Sequence, residues 1–247
     1  MTQPILNKND SGFHIKTDDQ RFWVFPFLSN LIGDLPEDAA LTLTYNSSRS
    51  KCPCHICTIP VDQLNNPNLS VDEIQLRTPK NMQYVKEHNL GQEYSIYEME
   101  NIFWKHPQFN IYSATVPDRM HHCDLGLFNY QVCFTRILIK EFCGQEGIDE
   151  FDHRLAAIPR FPELKLFKHG LGNIARFTAA EFRHMMKQLI FVVDDLILLM
   201  HKSNINRNKA KIQNEQLVDL FVSWNKMYLF SRHEKFSHSD LNEFQVF

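Results

Sequence analysis

Apolar and polar positions follow two regimes along the chain. In the first fifty residues they read as strands: Arg21-Phe-Trp-Val-Phe-Pro-Phe-Leu28 is aromatic and β-branched, and Ala40-Leu-Thr-Leu-Thr-Tyr45 alternates with period two. Between them Leu31-Ile-Gly-Asp34 is an apolar run that stops at a Gly-Asp turn. From about 58 to 117 the pattern predicts loops with short helices. Ser70-Val-Asp-Glu73 has capping-box spacing, and Thr78-Pro79 starts a segment that Gly91 is placed to end. Beyond 124 the period becomes helical. Leu125, Phe128, Val132, Ile139 and Cys143 share one face, and Thr178-Ala-Ala-Glu181 opens an apolar helix running towards Met200. Leu217, Leu220, Phe221, Trp224 and Met227 or Tyr228 mark a third helix, after an exposed basic linker over 202–211. The expectation is a mainly α chain with a small N-terminal β part.

Composition narrows the function classes. At 247 residues and 43% apolar content the chain is long enough to bury a sizeable core. Twenty-six Lys and Arg against 29 Asp and Glu leave a net charge of −3, so no broad basic footprint for nucleic acid exists. No run of about 18 uncharged apolar residues suggests a membrane span, and the opening MTQPILNKNDSG lacks the layout of a secretory signal. A soluble intracellular protein is expected. There is no Gly-rich phosphate loop, no GxSxG elbow and no HExxH, which leaves the common nucleotide-binding, hydrolase and zinc-peptidase readings without support.

Six cysteines stand at 52, 54, 57, 123, 133 and 143. Three crowd into Cys52-Pro-Cys54-His-Ile-Cys57, where two thiolates three positions apart make half of a structural zinc site. The other half would come from Pro117-Asp118-Arg-Met-His121-His122-Cys123-Asp124, in which one helical turn brings Asp118 and His121 to one side. Free thiols and ordinary loop histidines are the competing reading. Asp34 is placed either as a turn residue or as a divalent-metal ligand. Glu181 is placed either as the returning acid of a capping box or as a catalytic carboxylate. His184, Met185, Met186 and Leu189 read as core with a polar edge, and Asp194-Asp195 as solvent-facing or paired with a nearby base.

Four ordered motifs carry a resemblance. Gly33-Asp34-Leu-Pro, Cys52-Pro-Cys54-His-Ile-Cys57, Pro117-Asp118-Arg-Met-His121 with Leu125-Gly126-Leu-Phe128, and Thr178-Ala-Ala-Glu181 together resemble Plavaka-type, CACTA-related transposases of fungal genomes. The resemblance spans roughly residues 30 to 195. It implies a partial RNase H-like core over 1–50, a largely helical Cys/His-containing insertion over 51–175, and C-terminal helices over 176–247. It also implies DNA cleavage and strand transfer by two-metal phosphoryl transfer, with Asp34 and Glu181 as Mg²⁺ ligands. Cys54 and Cys57, with His121 or His122, would then form the structural Zn²⁺ set, with Cys52 and His55 as nearby spare ligands, and Asp118 with His121 would match the Asp-x-x-His element of the insertion; DNA would be the ancestral partner and the nucleus the location. A protein partner or a second copy of the chain would suit the alternative, a non-catalytic zinc-stabilised interaction module. The family's first catalytic Asp lies several strands before the second. Here 33 residues precede Asp34, and neither Asp10, Asp18 nor Asp19 leaves room for two strands and a crossover helix. The expectation is a chain that lacks the first strands, holds Mg²⁺ weakly and is inactive by itself.

Overall fold

The computed structural model describes residues 11–45, 47, 49–66, 68–106, 109–172 and 174–244. Asp10, most of the opening segment and Pro67 lie outside them. The chain is mainly helical, at 55% helix. It divides into two compact units, Met1–Asp118 and Arg119–Phe247. That boundary falls inside the segment 51–175.

The first unit holds two two-stranded sheets. β1 (Phe13–Lys16) and β2 (Arg21–Val24) form an antiparallel hairpin, and β3 (Leu31–Gly33) pairs in parallel with β4 (Thr115–Pro117). The alternating stretch 40–45 is not a strand. Leu35–Thr42 is a helix, α1, with Asp34 as its N-cap, Glu37 completing a capping box and Pro36 in the first turn. These start signals outweigh a weak period-two pattern; of the expected strand only Thr44 keeps a bridge, to Ile96. α2 (Pro79–Glu87) starts at a Thr78–Asn81 capping box. It ends at His88 and a left-handed Asn89, and Gly91 instead begins the short α3 (Gly91–Tyr94). With α4 (Ile111–Ala114), these elements enclose Met82, Val85, Ile96, Phe103, Trp104, Phe109, Ile111, Tyr112 and Ala114.

The second unit is helix on helix. A π-helical run, Met120–Leu127, leads into α5 (Phe128–Ala156), followed by α6 (Ala179–Val193), α7 (Leu196–Met200), α8 (Arg207–Phe230) and α9 (His238–Phe244). Phe128, Val132, Ile139 and Cys143 do face the core, against Met185, Met186, Leu189, Val192, Leu217 and Phe221. α5 breaks stride at Gly144, whose φ of 76° favours glycine. The carbonyls this releases are bonded by Lys202, its backbone N–H to Phe142 O (2.9 Å) and its Nζ to Glu141 O (2.8 Å). Two sequence expectations are corrected in this unit. The helix opened by Thr178 stops at Val193, because Asp194 is extended and Asp195 left-handed. Arg154 there donates to Asp194 O (2.6 Å). And 207–211 is the first turn of α8, capped by Asn206, rather than linker. Among the described residues no helix is long and apolar enough to cross a membrane.

Candidate functional site

β3 and β4 set the geometry. Leu31, Ile32 and Gly33 pair with Thr115, Val116 and Pro117, and the Asp118 N–H donates to Gly33 O at 2.9 Å. Asp34 and Asp118 are therefore the next residues after paired positions on strands running the same way. Neighbouring strands lie about 4.8 Å apart, so two aspartates separated by 84 positions of chain become neighbours at one C-terminal strand edge. Such edges are where parallel sheets receive ligands. Asp34 is held there by its cap: Oδ1 accepts from the Glu37 N–H (2.8 Å), and the Asp34 N–H donates to Glu37 Oε2 (3.3 Å). That bond engages Oδ1 alone. Asp118 follows directly on a strand, and the helical run beyond it, Met120–Leu127, is of π type.

One turn into α1, Asp38 is fully buried beside His55, with Oδ2 and Nε2 3.6 Å apart. That is too long for a hydrogen bond, and neither side chain finds another partner among the described residues. Burial, then the charges of Asp34 and Glu37, push the Asp38 carboxyl up to about 6. Burial, aided by Arg77, pushes the His55 imidazole down, so its neutral form is favoured. No sequence motif singles out Asp38, and His55 enters only as a spare ligand.

The cysteine loop is built around a residue that no motif flagged. Arg77 is 1% exposed, and its guanidinium donates to the carbonyls of Cys52 (2.8 Å), Cys54 (2.9 Å), Cys57 (3.0 Å) and Tyr94 (2.8 Å). Ser95 Oγ accepts from the Lys51 and Cys52 N–H groups at 2.8 and 3.0 Å. A hydrogen bond from the Cys57 thiol holds the Cys54 thiol down at about 6, and the same bond drives Cys57 upward. Cys52 is raised by burial. Cys54 and Cys57 thus have the chemistry of half a zinc site. Among the described residues, however, no group of three or more His, Cys, Asp or Glu side chains is arranged to hold a metal ion, so a four-ligand site is not preassembled.

The remaining candidates lie in the second unit. His121 and His122 are exposed on the π-helical run. Asp124, on the same run, is buried and accepts from Arg183 Nη1 at 2.7 Å, a link that pattern alone did not reveal. Glu181 folds back on its cap, taking the Thr178 N–H (2.6 Å) and Oγ1–H (3.0 Å), while its other oxygen takes Lys165 Nζ. The Lys165 ammonium, then the cap, hold its carboxyl down at about 2.

A mainly helical chain with aspartates closing two parallel strands, and a cysteine loop between them in sequence, defines a transposase-related protein once sequence families are compared. A family model described as Plavaka transposase matches residues 1–134, which include Asp34, the cysteine loop, Asp118, His121 and His122. The chain belongs to the Plavaka transposase family. No curated protein and no solved structure matches it.

Proposed function

We propose that this is a transposase-derived protein whose Asp34–Asp118 strand edge is the metal-binding remnant of a two-metal phosphoryl-transfer site. The observation that carries this reading is the parallel register that makes those two residues adjacent. Mg²⁺ is commonly held by one or two carboxylates, with waters and substrate phosphates completing its octahedron. When bound, the cation supplies Lewis-acid activation of an attacking oxygen and stabilises a leaving one. The chain's own part is positional: the Glu37 N–H fixes Asp34, and the Gly33 carbonyl fixes the backbone of Asp118. A β3–α1 unit beside a second parallel strand suits a partial RNase H-like core. DNA is the partner and the nucleus the location that this reading requires.

The reading also has the protein inactive by itself. Glu181, the third ligand implied by the resemblance, would have to release Thr178 and Lys165 to reach a metal, at a cost of about 1 kcal/mol for the cap alone. Two aspartates suffice for one weakly held cation, not for a pair of metals. The test is nicking of supercoiled DNA by the full chain with Mg²⁺ or Mn²⁺. No nicking is expected from wild type; metal-dependent nicking that vanishes in Asp34→Ala would overturn the inactivity and leave the site standing.

A second reading is favoured by the Cys54–Cys57 pair, a low-pKa thiol bonded to its neighbour on a rigid loop. It makes the first unit a zinc-stabilised interaction module, with ligands beyond these two supplied on metal binding or by a partner. Zinc content of the purified chain, compared with Cys54→Ser, checks it. Stoichiometric zinc lost in the variant supports the module, and zinc-free wild type removes it.

A further inference from the structure

The β1–β2 hairpin has two unlike faces. Register places Phe13 opposite Val24, His14 opposite Trp23, Ile15 opposite Phe22 and Lys16 opposite Arg21. Alternation along each strand then collects Phe13, Ile15, Phe22 and Val24 on one side and His14, Lys16, Arg21 and Trp23 on the other. The first side is apolar throughout. The second is an ordered row. The two cations pair next to the turn, and the His14 and Trp23 rings stack behind them, with centroids 5.9 Å apart and planes 26° from parallel. Phe25 closes the row, 4.9 Å from Trp23.

This row is displayed rather than packed. Trp23 is 62% exposed, and His14, Lys16, Arg21 and Phe25 are exposed with it. Its orientation is nevertheless fixed. Trp23 Nε1 donates to Ser11 O at 3.3 Å, and Gly12, at a φ of +62°, leaves room for the rings. A Cβ there would stand 2.6 Å from Trp23 Nε1 and 3.0 Å from Phe25 Cε1. The exposed part of the indole is a flat apolar surface that a further planar ring can cover.

We propose that the His14–Lys16–Arg21–Trp23 face is a stacking platform for single-stranded DNA. An unpaired base offers the planar surface that the Trp23–His14 pair lacks, and its flanking phosphates match Lys16 and Arg21 in charge. Duplex DNA keeps its base faces covered, so it meets only the two cations. Asp18 and Asp19 in the hairpin turn offset those cations nearby, so stacking, not counterion release, dominates the affinity. This surface does not involve Asp34 or Asp118 and stands or falls separately from the proposed metal site.

The test is fluorescence anisotropy of a labelled oligothymidylate, and of a duplex of equal length, with the full chain. Preference for the single strand is expected, with a log–log salt slope no steeper than about −1.4 from two phosphate contacts. Trp23→Ala should weaken binding at least about tenfold, while Trp23→Phe keeps most of it. Lys16→Ala with Arg21→Ala should flatten the salt dependence, and Tyr130→Ala, which removes an equally exposed aromatic ring from α5, should leave affinity unchanged. Failure of wild type to bind the single strand overturns the proposal. So does equal affinity for duplex, or an unchanged affinity in Trp23→Ala.

Discussion

Among the described residues of 119–247, twenty-two buried apolar side chains form one continuous cluster, mostly at helical spacing on α5, α6 and α8. In residues 11–118 the corresponding cluster holds nine, and the space beside it is filled by polar groups: Arg77 under the cysteine loop, Asp38 against His55, and Ser95 beneath Cys52. The larger unit is therefore held mainly by hydrophobic burial, which is non-directional and tolerant of position. The smaller one depends on directed hydrogen bonds, each of which costs the full desolvation of its partner when broken. Every candidate ligand that the strands and the cysteine loop present lies in the smaller unit.

The sharpest way to break this comparison is Arg77→Ala. It strands four carbonyls, each worth about 1–3 kcal/mol when left buried without a donor, and should destabilise the first unit by several kcal/mol, read as lost amide-exchange protection over 51–57 and 94–96. Arg77→Met, which restores volume but not donors, should recover little. Full recovery would mean that packing, not hydrogen bonding, holds the loop. Leu189→Ala is the counterpart in the second unit, with an expected loss of about 2–5 kcal/mol in chemical denaturation because a fully buried side chain leaves a cavity.

Asp38 gives a pH-dependent contrast. Its carboxyl keeps its proton up to about pH 6 in the folded chain against an ordinary value of 3.8. The folded state thus binds more protons across that window, and stability falls as pH rises through it. Asp38→Asn should be more stable than wild type by about 3 kcal/mol at pH 8, with most of the gain gone near pH 4; denaturation midpoints at the two pH values check the sign. The smallest effect belongs to Thr178→Ala, at about 1 kcal/mol from the lost cap, visible as fraying at the start of α6 in amide exchange.

Legibility in the sequence follows the same division. Helical period is a statement about apolar faces, so it located α5, α6 and α8 and the core positions Val132, Ile139, Met185 and Phe221. It misread 40–45, where Asp34, Pro36 and Glu37 set the conformation through capping. It also ran α6 past Asp194-Asp195, whose backbone break leaves no trace in hydrophobicity. The motifs were legible one at a time: Asp34, Cys54 and Cys57, Asp118, and Glu181 as a capping acid. Their grouping was not. Spacing can offer only the nearby histidines as neighbours of Asp118; that Asp34 also lies beside it comes from strand register, a long-range pairing of three-residue strands that leaves no local trace. Arg77 escaped because a lone arginine in a loop carries no pattern; only burial reveals it.

The most direct test of the central claim is Mn²⁺ binding followed by electron paramagnetic resonance on the full chain and on Asp34→Asn, Asp118→Asn and Glu181→Gln. If the strand edge is the metal site, one weakly bound ion is lost in each aspartate variant and retained in Glu181→Gln. Binding that survives Asp118→Asn while disappearing in Asp34→Asn and Glu181→Gln would contradict the account and restore the pairing that sequence resemblance implies.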